Sequence, residues 1–316
     1  MVKIGFWSTW ASTPQGNLAA VFPDDELIAI RDERDLARVA EIEVAFCGTS
    51  NDRSRMLIDA APKLRWFHTP AAGVDRFLDM PEFRERKIIL TNNSGSYDIQ
   101  IAEHVLAFVF AGAKQLHRYR DQQHRAEWAD QEHHELRGET AVVFGAGSIG
   151  GEVARLLAAV GLRVIAVRRS GGAVPGASRV VKPEALADVA AEADYLVVAA
   201  PLTPATRGAI SREVLARMKP TAWLVNIARG PIVDEDALAK ALAAGKLGGA
   251  ALDTFVKEPL PPESPLWKLD NVIITPHTSN SSPKVRERTL ALFVENVRRY
   301  KAKEPLLNQV DFERGY

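Results

Sequence analysis

Cysteine is almost absent: Cys47 is the single one in 316 residues, so no intrachain disulfide can form. That fits a reducing compartment and points to the cytoplasm. Cys47 closes the apolar run Val44-Ala45-Phe46-Cys47 and reads as a buried core thiol rather than a nucleophile. Neither sign of charge is in excess, with 40 Lys plus Arg against 40 Asp plus Glu. A basic face for nucleic acid and an acidic tail are both excluded as dominant features. Long apolar runs are missing as well. The most lipid-like stretch, residues 101–116, is short for a membrane span and carries Glu103, His104 and Lys114 at or near its ends. The N-terminus reads as a short strand and then turns polar, so no secretory leader is expected. Repeats and low-complexity segments are lacking too. The partner expectations are therefore no nucleic acid and no membrane.

What is present is length and alternation. A chain of 316 residues suffices for two compact domains. Short β-rich runs at residues 2–6, 26–30, 44–47, 64–68 and 88–90 alternate with helical stretches at 32–40 and 53–60. A second set starts at 141–144 and continues at 164–167, 195–199, 223–226, 249–252 and 272–274, with helices at 150–160 and 234–244. Such alternation implies mostly parallel sheets covered by helices, an α/β protein. In the first helix of the second set Val153, Leu156, Leu157 and Val160 share one face. In the second, Asp234 suits the N-cap, Asp236 the first turn and Gly245 the end. Between the two sets lies a helical section over 99–125, followed by a polar stretch rich in His, Glu and Gln. The apolar residues of 101–116 run nearly all round, as in a helix buried at a domain or subunit interface. A last helix covers 283–300.

The glycine series Gly145-Ala146-Gly147-Ser148-Ile149-Gly150 follows an apolar strand and opens an amphipathic helix, the context a dinucleotide-binding turn requires. Gly145 permits the tight turn, Gly147 lets the backbone approach a pyrophosphate, and Gly150 lets helix and strand pack closely. The N–H groups of Ser148 and Ile149 open the helix and face the phosphates. The next strand should end in an acid if a ribose 2′-hydroxyl is to be held. It ends in Arg168-Arg169-Ser170, two guanidinium groups and a hydroxyl that suit a 2′-phosphate. NADP(H) is expected to be preferred, with NAD(H) possible.

Three residues beyond later strand ends suit the chemistry of a 2-hydroxy acid. Arg229, in Asn226-Ile227-Ala228-Arg229-Gly230, offers a guanidinium that grips a carboxylate bidentately. His277, in Thr275-Pro276-His277-Thr278, can move a proton. Glu258, in Lys257-Glu258-Pro259, can orient that imidazole and favour its protonated form. Each alone has an ordinary structural reading: a salt bridge, a loop histidine, a surface charge. Their weight comes from all three following strand ends in one nucleotide-binding unit.

Together with Pro201-Leu202-Thr203-Pro204-Ala205-Thr206-Arg207, Met218-Lys219-Pro220, Ala251-Leu252-Asp253-Thr254-Phe255 and Ser264-Pro265-Leu266-Trp267, these motifs are very specific. The chain resembles the D-isomer-specific 2-hydroxyacid dehydrogenase family over nearly its whole length. The resemblance implies Arg229 on the substrate carboxylate and carbonyl, His277 as acid/base, Glu258 as its partner, and Asp253 at the nicotinamide carboxamide. It adds Pro201, Ile227 and Ala228 to the cofactor contacts. Residues 71–75 look like the family's substrate loop, where the N–H groups of Ala72, Gly73 and Val74 would grip the carboxylate. Asn93-Ser94-Gly95 and Glu103 match a segment near the family's interdomain cleft. The implied architecture is a central Rossmann domain over 99–283, a doubly wound parallel sheet. A discontinuous flavodoxin-like α/β substrate domain would be built from 1–98 and 284–316. A homodimer through the cofactor domain is implied too, which would explain the apolar helix after Ile99.

The chain departs from the common pattern where the acid after the second cofactor strand is missing, as in NADPH-linked glyoxylate/hydroxypyruvate reductases. Ala71 stands where serine is frequent. Trp7, Trp10 and Tyr97 are candidates to shape the substrate pocket. The resemblance therefore implies reduction of a 2-keto acid such as glyoxylate, hydroxypyruvate or a bulkier one. Formate dehydrogenases share the scaffold but pair their histidine with an amide, which Glu258 argues against. A dinucleotide-sensing corepressor on the same scaffold is the alternative, and such relatives usually carry extra tails. Glu132-His133-His134-Glu135 could suggest a metal site, but adjacent histidines lack one-face helical spacing, so no metal is expected.

Overall fold

The computed structural model describes residues 1–7, 21–48 and 50–316. The chain divides into two compact units, residues 1–96 with 283–316, and residues 97–282.

Among the described residues the first unit has five strands: β1 (Lys3–Trp7), β2 (Glu26–Ala29), β3 (Val44–Cys47), β4 (Trp66–His68) and β5 (Ile89–Thr91). All pairings are parallel in the order β2-β1-β3-β4-β5. That is the flavodoxin-like 2-1-3-4-5 order. Sequence alternation sorts the side chains onto two faces. Ala45, Cys47, Phe67 and Leu90 enter one core with Leu57, Phe77 and Phe83. Ile4, Phe6, Val44, Phe46 and Trp66 enter the other, where the helix Lys284–Ala302 delivers Phe293 and Val297. Phe293 is fully buried, with its ring centroid 5.0 Å from Phe46, 5.2 Å from Trp66 and 5.5 Å from Phe6. His68 lies in the same aromatic cluster, and burial pushes its pKa down to about 3.

The second unit carries seven parallel strands: β6 (Thr140–Phe144), β7 (Arg163–Val167), β8 (Ala177–Val181), β9 (Tyr195–Val198), β10 (Trp223–Asn226), β11 (Gly249–Leu252) and β12 (Val272–Ile274). Their order is β12-β11-β10-β9-β6-β7-β8. This is the doubly wound order with one strand added, and it reverses at β6 and β9, where open sheets place ligands. β6, β9, β10 and β11 are buried along their whole length, which is why they read as mostly apolar runs, with Thr140 and Asn226 the polar exceptions at strand ends. Val153 and Leu157 of the helix Ser148–Ala159 pack into one face of the sheet with Ile101, Val105, Phe108 and Val109 of the helix Asp98–Ala113. Asp234 caps the helix Glu235–Ala243 by accepting from the Ala237 N–H at 2.9 Å, as expected from the sequence. No helix among the described residues is long and apolar enough to cross a membrane.

Two helical expectations need correction. Residues 32–40 hold only a 3-10 turn, Glu33–Arg38. There Asp32 accepts from the Arg34 N–H and Asp35 from the Arg31 N–H, both at 2.9 Å, and such local side-chain bonds compete with an α-helix. The section 99–125 is two helices, Asp98–Ala113 and Leu116–Arg125. Between them Gln115 is left-handed (φ 52°), and its amide donates to the Gly112 carbonyl at 3.1 Å. The edge strand β8, half exposed and polar at Ser178 and Arg179, has no apolar signature that a sequence reading could use.

Removing the ring at the centre of the aromatic cluster is expected to cost the first unit about 3–5 kcal/mol in Phe293→Ala, through lost burial and the cavity left behind. Denaturant unfolding followed by tryptophan fluorescence checks this; a loss below about 1 kcal/mol would show that the cluster closes around the gap.

Candidate active site

Two of the three glycines of the cofactor turn are dictated by packing. Gly145 has φ 97°, and a Cβ there would lie 2.3 Å from the Ala200 backbone beyond β9. A Cβ on Gly150 would lie 2.2 Å from the Gly145 carbonyl oxygen. At Gly147, by contrast, a Cβ would meet nothing within 4 Å, so that face of the turn is clear for a ligand to approach. Gly147 is the N-cap of the helix Ser148–Ala159, whose first N–H groups have no intrahelical partner and favour an anion. The Ser148 hydroxyl donates to the Asp98 carboxylate, so its side chain is engaged while its N–H remains at the helix start. Ile149 is half buried beside it.

Beyond β7, the Arg168 guanidinium donates twice to the Ser170 hydroxyl, at 2.9 and 2.7 Å. Arg168 is half buried, whereas Arg169 and Ser170 are exposed. Arg168 is thus organised around a hydroxyl and presented at a strand end. Pro201 follows β9 and accepts from the Thr206 hydroxyl at 2.6 Å. Ile227 and Ala228 follow β10 and are buried.

Arg229, Glu258 and His277 come from the loops after β10, β11 and β12, three strands that are neighbours in the sheet. Arg229 is half buried and extended, and its guanidinium donates to the Ala228 carbonyl at 2.8 Å. The turn beneath it is braced by Asn226, whose side chain accepts from the Ala228 N–H at 3.1 Å and donates to the Arg229 carbonyl at 3.2 Å. Gly230 follows with no room to spare, since a Cβ there would lie 1.9 Å from the Phe255 carbonyl carbon. The Arg229 turn is therefore pressed against the chain that leads to Glu258.

Glu258 and His277 are in direct contact. One carboxylate oxygen accepts from the Phe255 N–H at 3.0 Å, and the other lies 2.8 Å from His277 Nδ1. A carboxylate only accepts, so Nδ1 carries a proton and Nε2 is the nitrogen left for exchange with a reactant. Both side chains are about one-third exposed, at 36% and 35%, so solvent can return a proton to the imidazole. His277 is left-handed (φ 50°), a conformation that costs on the order of 1–3 kcal/mol and persists only where the surroundings hold it.

Asp253 supplies much of that hold. It is fully buried, and its carboxylate accepts from the Thr275 hydroxyl at 2.5 Å, the Thr278 N–H at 2.9 Å and the Ser279 N–H at 3.1 Å. Sequence reasoning offers Asp253 either as a cofactor contact or as a plain turn or cap aspartate, and it misses Thr275, Ser279 and the Asn226 brace. Only their adjacency to Arg229 and His277 marks them, because the bonds they make depend on loop geometry.

The loop at 71–75 belongs to the first unit, after β4. Asn92 donates to the Ala72 carbonyl at 3.0 Å, and the Asn93 N–H donates to the Ala71 carbonyl at 3.0 Å. Val74 is buried and Ala72 and Gly73 are half buried. The N–H groups of Ala72 and Gly73 make no hydrogen bond among the described residues. Asn93 is fully buried and bonded to Thr289 and Ser96, while Glu103 of the second unit is exposed. Trp7 is buried in the core, Tyr97 is half buried, and Trp10 lies outside the described residues. His133 faces the Tyr119 hydroxyl at 3.0 Å, and among the described residues no group of His, Cys, Asp and Glu could hold a metal ion.

The family model for D-isomer specific 2-hydroxyacid dehydrogenase, NAD binding domain, matches residues 106–279. A glyoxylate reductase of Korarchaeum cryptofilum is 35% identical over 266 residues, covering 81% of this chain and 79% of that relative. The NADPH-dependent glyoxylate/hydroxypyruvate reductase of Sinorhizobium meliloti, solved with NADP and sulfate, is 28% identical with a TM-score of 0.87 over the whole of both chains. A D-isomer specific 2-hydroxyacid dehydrogenase of Xanthobacter autotrophicus, solved with NADPH and MES, is 31% identical with a TM-score of 0.86, covering 100% of this chain and 99% of that one.

The tight seat of Gly230 makes it a sensitive test of the site's assembly. Gly230→Ala is expected to force the Arg229 turn away from Phe255 and to cut turnover at least tenfold, although no reactive group is removed. Steady-state rates alongside the melting temperature check this; unchanged activity in Gly230→Ala would contradict the packing account.

Proposed function

The chain belongs to the D-isomer-specific 2-hydroxyacid dehydrogenase family, and we propose that within it this enzyme is an NADPH-preferring reductase of small 2-keto acids, glyoxylate and hydroxypyruvate among them. Hydride transfer between a nicotinamide cofactor and a 2-hydroxy acid/2-keto acid pair is the activity of the family. The observation that carries the reading is the 2.8 Å contact between Glu258 and His277 Nδ1, which prepares Nε2 for proton transfer.

The residues present fit the dinucleotide. The clear face at Gly147, the helix start at Ser148 and Ile149, and the close seats of Gly145 and Gly150 suit a diphosphate. Arg168, Arg169 and Ser170 suit a 2′-phosphate and stand where an acid would hold a bare ribose. NAD(H) is the weaker cofactor on this reading. Pro201, Ile227 and Ala228 would line the cofactor beyond β9 and β10. Asp253 would serve the carboxamide with whatever acceptor capacity its three loop bonds leave. When bound, the nicotinamide supplies the hydride.

The chain's own residues do the rest. Arg229 binds the keto-acid carboxylate and polarises the carbonyl by charge. His277 donates the Nε2 proton to the carbonyl oxygen as the carbon is reduced, and takes one from the hydroxyl in the reverse direction. Glu258 keeps the Nδ1–H tautomer through both states and holds the ring in orientation. On the first unit, the N–H groups of Ala72, Gly73 and Val74 are assigned to the substrate carboxylate. Residues 1–98 and 284–316 then form the substrate domain, and 99–283 the dinucleotide domain. Ile99, Phe110, Leu116 and Trp128 are large exposed apolar residues of the cofactor unit and support a homodimer through it. The single buried thiol fits residence in the cytoplasm.

NADPH oxidation with glyoxylate, hydroxypyruvate, pyruvate and bulkier 2-keto acids tests the reading. Turnover with at least one of the small acids is expected, at a kcat/KM at least tenfold higher with NADPH than with NADH. Arg168→Asp should reverse that preference. Equal efficiency with the two cofactors, or an unchanged choice in the variant, would refute the NADPH assignment; tight nucleotide binding without turnover on any acid would point to a sensor instead. Arg229→Gln is expected to raise KM for the keto acid and to lower kcat, by about tenfold or more in kcat/KM, read from the same assay.

A further inference from the structure

The loop that carries His277 is held from two directions. Asp253 grips it from below, as described. From the side, the helix Asp98–Ala113 presents two residues one turn apart, Gln100 and His104, on one face. The Gln100 side chain donates to the Asn280 carbonyl at 3.3 Å. His104 Nε2 lies 3.2 Å from the Thr275 hydroxyl oxygen. The two contacts fall on either side of His277, at positions 275 and 280.

The direction of the His104 bond follows from counting protons. The Thr275 hydroxyl has one proton, and it is directed to Asp253 Oδ1 at 2.5 Å. Towards His104 it can only accept, so His104 Nε2 carries an N–H and donates. Burial lowers the pKa of His104 and outweighs the upward pull of Asp253, which favours the neutral ring; the Thr275 contact sets its tautomer. The ring is also fixed in place by Phe108, one turn further along, at a centroid separation of 4.4 Å and an interplanar angle of 77°. His104 thus fixes a hydroxyl, the hydroxyl engages Asp253, and Asp253 holds the amides of Thr278 and Ser279. Between them sits a left-handed residue whose side chain must meet both Glu258 and the reactant.

We propose that His104, donating through Nε2 to Thr275, is a positioning residue for His277: it sets the loop so that the acid/base imidazole stands in line with the keto-acid carbonyl. This rests on the acid/base role assigned to His277 above. His104 itself touches neither substrate nor cofactor in this account, so its loss should slow chemistry without weakening binding. Misplacement of a reacting group by about 1 Å can cost on the order of a hundredfold in rate.

The test compares His104→Gln, which retains an N–H donor, with His104→Met, which has similar length and none. His104→Met is expected to lower kcat tenfold or more while the KM values for keto acid and NADPH stay within about twofold, and His104→Gln to recover most of the rate. His104→Met combined with Thr275→Val should be no slower than Thr275→Val alone, because both act through one bond. Hydrogen exchange at the Thr278 and Ser279 amides reads the same hold without any turnover: it should quicken at least tenfold in His104→Met and not in His104→Gln. Equal kcat in both variants, a loss confined to KM, multiplying losses in the double variant, or unchanged amide exchange would each overturn the proposal. If the wild-type enzyme turned over no 2-keto acid, the assigned reaction would fall, and amide exchange alone would decide the positioning role.

Discussion

The contact on which the rest depends is the hydrogen bond between Glu258 and His277 Nδ1, 2.8 Å long and about one-third exposed. It fixes which imidazole nitrogen faces the reactant and keeps a negative charge beside the one that does not. His277 is not placed by its own loop alone: it is left-handed and is anchored by Asp253 from the loop after β11. Glu258 is held within its own loop, where the Phe255 N–H binds its second oxygen. The fold supplies this by sending three adjacent parallel strands, β10, β11 and β12, into loops at the same edge of one sheet.

Glycine does a second kind of work in the same unit. Gly145 and Gly150 allow the first cofactor turn to close on itself and on Ala200, and Gly230 allows the Arg229 turn to lie against Phe255. In each case a methyl group would collide with backbone, which cannot swing aside as a long side chain can. These positions bind nothing by side chain, yet they determine where the N–H groups and charged residues beside them point. Gly147 differs, for space rather than contact surrounds it.

Much of the architecture was legible because buried parallel strands are short apolar runs bounded by turn residues. β6, β9, β10 and β11 are apolar but for Thr140 and Asn226 at two strand ends, and their pattern predicts each to within a residue or so of its bounds. β8 is not predicted, since an edge strand with Arg179 and Ser178 on it has no need of an apolar pattern. The break at Gln115 was hidden because a glutamine rather than a glycine takes the left-handed position and caps the Gly112 carbonyl with its own amide. For the site, residue types near strand ends marked Arg229, Glu258 and His277, and the structure joins the last two, which are nineteen positions apart. Thr275, Ser279, Gln100 and His104 could not be read, because their contributions are bonds across loops and between a helix and a loop.

The central claim is that His277 carries the proton, and a single turnover of NADPH with glyoxylate in His277→Ala tests it most directly. The account requires hydride transfer to slow by about 10²–10⁴-fold and added imidazole to restore it in a concentration-dependent way. Transfer at the wild-type rate in His277→Ala, with no response to imidazole, would contradict it.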